Sequence, residues 1–181
     1  MPTPFSLLNG ATDTRVTPTF SQQIRLLTSR LDTLVADIRK GKEDLKRRLP
    51  AVCWAATFTD GRRHLDSAEW NGLAYIDVDH VSQWYHASAR QLYHDLYQGH
   101  EQEYGIVHAQ VSPSGDGLHL VFIPEVALDP STRNFEKAQE RFAQRTGLAS
   151  YDHACKDLVR MLFLSSLADT LYDVLDILTD D

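Results

Sequence analysis

Gly72-Leu73-Ala74-Tyr75-Ile76-Asp77-Val78-Asp79-His80 begins as an apolar run and ends in two carboxylates. In a strand, residues two apart share a face. Asp77 and Asp79 are therefore expected side by side, with Ile76 and Val78 turned into a core. Two carboxylates about 4 Å apart repel by roughly 4 kcal/mol at a surface-like dielectric. A divalent cation such as Mg2+, which takes oxygen ligands, turns that repulsion into attraction. The competing reading is a strand that ends in a solvated acidic turn.

Downstream, Val81–Gln98 carries Val81, Trp84, Tyr85, Ala89, Leu92 and Leu96 at helical spacing, so Trp84 and Tyr85 read as helix-packing residues. Tyr104–Val111 and Leu118–Pro124 are two further strands, joined by the tight turn Ser112-Pro113-Ser114-Gly115-Asp116-Gly117. Its serines supply hydroxyls and its glycines let the backbone approach a ligand closely. Successive amides in such a turn suit an anion, and His119 is placed to donate to a phosphate oxygen. A plain hairpin turn explains the same residues. Ser131–Thr146 reads as a helix stopped by Gly147. Asp152 follows as a third carboxylate for the same site, with an N-cap as the competing role. Leu158–Ser165 reads as a strand carrying Arg160, which either pairs with Asp157 or contacts a triphosphate. Leu167–Leu178 reads as a last short helix before the acidic Asp180 and Asp181.

Upstream, Met1–Thr19 holds three of the seven prolines and reads as an irregular leader, so the domain is drawn at 20–181. Ser21–Ile38 has apolar residues at helical spacing, and Lys42–Leu49 is a short basic helix or turn. Lys40, Lys42, Lys46, Arg47 and Arg48 form the densest positive cluster, either phosphate-facing or a solvated face. Ala51–Thr59 reads as a buried strand, and Arg62-Arg63-His64 as an exposed basic loop. Strands mixed with helices and one close strand pair argue an α+β (mixed α/β) domain.

The whole chain has 181 residues and a formal net charge of −7, which excludes a general basic coat for nucleic acid. Cys53 and Cys155 are its only cysteines, too few for a disulfide framework or a four-ligand zinc site. The expected setting is reducing and cytoplasmic. No long apolar run or signal peptide is present, so no membrane partner is expected.

Asp77-Val78-Asp79, then Ser114-Gly115-Asp116-Gly117-Leu118-His119, then Tyr151-Asp152 have the order of three motifs in the archaeo-eukaryotic primase superfamily, which the chain resembles. The resemblance is closest to VirE N-terminal-type (BT4734-like) primase-polymerase domains of bacterial mobile elements. It extends to Leu49-Pro50, Thr57-Phe58, Asn71-Gly72-Leu73, Ser112-Pro113, and Asp157 to Arg160 before Phe163-Leu164-Ser165. It implies an RRM-like antiparallel-sheet core beside a smaller N-terminal αβ module, and template-directed nucleotidyl transfer of the DNA primase or polymerase type. Asp77, Asp79 and Asp152 would then be the catalytic residues, holding Mg2+ or Mn2+. Ser112, Ser114, Gly115, Gly117, His119 and Arg160 would bind the nucleotide. Implied partners are nucleoside triphosphates, a single-stranded or primed DNA template, and a helicase or other replication module. A non-catalytic nucleotide- or DNA-binding module and a metal-dependent nuclease are the rival readings.

Overall fold

The computed structural model describes residues 4–125 and 134–178. In chain order the elements are β1 (Phe5–Leu8), β2 (Thr17–Thr19), α1 (Ser21–Thr28), α2 (Asp32–Arg39), β3 (Ala51–Cys53), β4 (Ala56–Phe58), β5 (Ala68–Trp70), β6 (Ala74–Val78), α3 (Val81–Tyr85), α4 (Ala89–Leu96), α5 (Glu101–Tyr104), β7 (Ile106–Val111), β8 (Leu118–Phe122), α6 (Asn134–Thr146), β9 (Leu162–Phe163) and β10 (Thr170–Asp173). Short 3-10 turns cover Glu43–Arg48, Leu65–Ser67, Leu167–Asp169 and Leu175–Leu178. The fold is α+β.

The central sheet runs β10-β7-β8-β6, all neighbours antiparallel. Because β8 lies between β6 and β7, the latter two run parallel, in a split β-α-β arrangement. Every residue of β6, β7 and β8 is buried. Ile76 and Val78 lie beside Leu120 and Leu118 on one face, and each such fully buried side chain contributes about 1.5–3 kcal/mol. The opposite face carries Tyr75 and Asp77 beside Val121 and His119. A second sheet, β2-β1-β3-β9, packs near that polar row. There Trp54 stacks on His108 with ring centres 5.0 Å apart, and Gln110 donates to the Phe163 carbonyl at 2.8 Å.

Several local expectations give way to tertiary context. The described part of the proline-bearing start is not irregular throughout, since it holds β1 and β2. Phe5–Leu8 is a buried strand pairing with both β2 and β3, because it completes the second sheet. Leu167–Leu178 is not one helix. Its middle is β10, drawn into extended form by pairing with β7. Ala51–Thr59 breaks into β3 and β4, which belong to different sheets. The helix expected over Val81–Gln98 is split at His86, which takes a left-handed φ of 53°. Of the strand expected over Leu158–Ser165 only Leu162–Phe163 pairs. The helix start at Ser131–Arg133 and the acidic Asp180 and Asp181 lie outside the described residues.

Candidate active site

The site is assembled along the free edge of β6. An edge strand leaves backbone carbonyls in need of donors. The Tyr75 carbonyl accepts from the Gln139 side chain of α6 at 2.9 Å, and the Asp77 carbonyl accepts from the Asp152 N–H at 2.8 Å. Gln139 also donates to the Cys155 carbonyl at 2.6 Å. The loop carrying Asp152 is thereby laid against the acidic strand. Asp152 folds into an Asx turn, its Oδ1 accepting from the Ala154 N–H at 2.8 Å; no helix follows, so it caps none. Oxygens of Asp77 and Asp152 and the sulfur of Cys155 all lie within 4.8 Å of one another.

Asp77 is only 9% exposed, and its Oδ1 has no hydrogen-bond partner. Burial, reinforced by the charges of Asp79 and Asp152, pushes its carboxyl up to about 7; the Lys46 charge works the other way. An orphaned, buried carboxylate oxygen repelled by two neighbours fits a cation. The donor set of two carboxylates and a sulfur offers one.

Asp77 faces His119 across the β6–β8 pair. Since the Asp77 carbonyl points outward to Asp152, the two face each other without backbone bonds between them, the geometry in which side chains approach most closely. Nε2 of His119 lies 3.5 Å from Asp77 Oδ1. This is not an ion pair. Burial first, then the charges of Lys46 and His108, hold the imidazole neutral by pushing its pKa down to about 3. Gln110 sets the tautomer. Its amide nitrogen donates to the Phe163 carbonyl at 2.8 Å and lies 2.9 Å from His119 Nδ1, while its oxygen receives the Ser165 N–H. Nδ1 must therefore accept, which leaves the proton on Nε2, near Asp77 Oδ1 but not hydrogen-bonded to it. His119 itself is 5% exposed, inside the site wall rather than on an open surface.

The Ser112–Gly117 turn joins β7 to β8 at the end of β6 where Asp79 lies. Ser112 N–H donates to the Gly117 carbonyl at 2.8 Å, and the two serine hydroxyls lie 2.9 Å apart. Gly117 has no room for a side chain: a Cβ there would stand 2.7 Å from Ser112 Oγ and 3.1 Å from the Val78 carbonyl oxygen. Gly115 takes a φ of +88°, a conformation that favours glycine. Asp116 ties the turn to α3 by accepting from the N–H and hydroxyl of Ser82, each at 2.8 Å. Arg39 holds it from the other side, donating to the Ser112 and Pro113 carbonyls at 3.1 Å. Arg39 is anchored by Asp169, 2.9 Å away, whose carboxylate also accepts from Ser165 and Ser166 and pairs with Arg90.

Not every expected residue joins. Asp79 is exposed, one residue past the strand, where His80 takes a left-handed φ of 53°. The pleat that would align it with Asp77 stops at Val78, and Cys155 takes the third place in the cluster. Its charge still reaches Asp77. Arg160 is exposed and forms no ion pair with Asp157 among the described residues. It donates to the Ala154 carbonyl at 2.8 Å, bracing the Asp152 loop. Arg63 likewise turns inward to the Val159 carbonyl at 3.2 Å. Of the basic cluster, Lys42 pairs with Asp37, whereas Lys46 lies over the Phe163 ring, close enough for its charge to act on both Asp77 and His119. Trp84, expected to pack, is 59% exposed on α3. Sequence reasoning missed Gln110 and Cys155. The spacing Asp152-x-x-Cys155 was the available signal for the latter.

The family model of the BT4734-like, N-terminal domain matches residues 44–172. The chain belongs to that family. No curated protein and no solved structure matches it. The BT4734-like domain contains every candidate site residue from Asp77 to Arg160, together with Lys46 and Asp169. Among the described residues, β1, β2, α1 and α2 precede it, so Arg39 reaches the glycine turn from outside the matched region. No helix among the described residues is long and apolar enough to cross a membrane.

Proposed function

We propose that this domain is a primase-polymerase of the archaeo-eukaryotic primase type, a nucleotidyltransferase that extends or initiates a strand on a DNA template in replication of a mobile element. The observation that carries the reading is the convergence of Asp77 and Asp152, distant in sequence, on one buried spot beside His119. Asp77 and Asp152, with Asp79 at the open edge, would hold Mg2+ or Mn2+. Such ions, when bound, lower the pKa of an attacking hydroxyl and neutralise charge on a triphosphate. The chain's own residues do the rest by positioning and electrostatics, which carry most of phosphoryl transfer. Ser114 and those amides of the glycine turn not already bonded within it would face the phosphates; Ser112 and Gly115 N–H are spent on the turn itself. The neutral His119, its tautomer held by Gln110, offers Nε2–H as a donor to the same region. Lys46 supplies positive charge to Asp77 and His119, and Arg160, whose charge reaches Cys155, stands at the rim.

The test is primer extension with dNTPs or NTPs in Mn2+ or Mg2+. Template-dependent incorporation is expected, lost in Asp77→Ala and Asp152→Ala. Unchanged incorporation by either variant removes this mechanism. Nucleotide and Mn2+ binding without extension of any primer points instead to a binding module of a larger replication protein. Strand cleavage without added nucleotide points to a nuclease.

A further inference from the structure

Cys155 is an odd neighbour for two carboxylates. Its thiol is 6% exposed, and Sγ lies 3.1 Å from Asp152 Oδ2 and 3.8 Å from Asp77 Oδ2. A thiol is a weak hydrogen-bond donor, ill suited to holding two repelling carboxylates together on its own. The neighbouring Asp77 Oδ1 is buried and makes no hydrogen bond, with His119 Nε2 standing off at 3.5 Å, so this carboxylate has an unused acceptor in the cluster. The spacing agrees. Metal–oxygen bonds of about 2.0–2.2 Å and a metal–sulfur bond of about 2.3 Å in a tetrahedral site put sulfur and oxygen about 3.5–3.7 Å apart. The two sulfur–oxygen separations straddle that value.

We propose that Cys155 is a ligand of the cation held by Asp77 and Asp152, and that this position prefers a sulfur-tolerant divalent ion, Zn2+ or Co2+, to Mg2+. The inference rests on the cation-binding reading above and adds the identity of the third ligand. Magnesium demands an oxygen shell, whereas later first-row ions accept thiolate. On binding, the thiol proton leaves to solvent and the sulfur's freed electron pair forms the bond to the metal; no oxidant is involved. Three protein ligands leave a further position open for water or substrate, the pattern of catalytic rather than structural sites.

The experiment titrates the metal-free full chain with Co2+ and follows the near-ultraviolet sulfur-to-cobalt charge-transfer band. The band is expected in the wild type and in Cys53→Ser, and absent in Cys155→Ser and Cys155→Ala, with folding of each variant checked by circular dichroism. Cys155→Ser is also expected to lose at least ~10-fold of the preference for Co2+ over Mg2+. Cobalt binding without the band, or a band that survives in Cys155→Ser, overturns the sulfur ligand while leaving the carboxylate site standing. Cobalt binding undiminished in both Asp77→Asn and Asp152→Asn, or no binding by the wild type, overturns the site and this inference together.

Discussion

Replacing Asp77 by asparagine is expected to make the metal-free protein more stable at neutral pH while removing its hold on a cation. The carboxyl is buried beside Asp79 and Asp152, and its pKa rises from 3.8 to about 7. In the unfolded chain it returns to 3.8, so between those values the folded protein keeps a proton that the unfolded chain has lost. Stability therefore falls as pH rises through this window, and the loss is complete above about 7. A displacement of that size corresponds to about 4 kcal/mol, and relaxation of the neighbours brings the expectation to about 2–4 kcal/mol. Asparagine has nearly the same shape and carries no charge at any pH. Its gain should be near zero at pH 3.5 and full at pH 8, because protonation already relieves the wild type in acid. Urea denaturation in EDTA at the two pH values measures this. No gain at pH 8, or an equal gain at both, would refute the claim that this carboxyl is buried and uncompensated in the metal-free state.

Gly117→Ala drives a methyl group against Ser112 Oγ and the Val78 carbonyl, so about 1–3 kcal/mol of destabilisation is expected; an unchanged melting temperature would contradict the close approach. Asp169 is 2% exposed and anchors Arg39, Arg90, Ser165 and Ser166. Asp169→Asn should lose about 1–3 kcal/mol, the arginines being partly solvated, and hydrogen exchange should speed up at the Ser112–Gly117 amides. Protection there equal to the wild type would show that Arg39 does not hold the turn. Trp84→Ala should leave stability within about 0.5 kcal/mol. If Trp84 stacks on template, the same variant should weaken single-strand binding by about 1–3 kcal/mol, read by fluorescence anisotropy. Equal affinity removes that role.

Local pattern was enough to read the acidic strand, the serine–glycine hairpin with His119, and the amphipathic α6, because alternation, turn chemistry and helical spacing are properties of neighbouring residues. The motif order, read as a resemblance, grouped Asp77, Asp79 and Asp152 with His119; the structure places Asp77 near both Asp152 and His119. Local pattern misled wherever a distant partner decided the conformation. Leu171, Val174, Leu175 and Leu178 have helical spacing, yet Thr170–Asp173 is a strand because the edge of β7 offers it backbone partners. Phe5–Leu8 follows two prolines, yet it is a buried strand between β2 and β3. Cys155 joins the carboxylates for a reason no single stretch contains. The outward carbonyls of β6 need donors, and Gln139 and Asp152 supply them from segments far along the chain. The sequence by itself determined the acidic strand and the serine–glycine turn, because each is written in neighbouring residues. Only the tertiary structure decided which side chains meet, because that is set by pairing unsatisfied backbone groups across long separations.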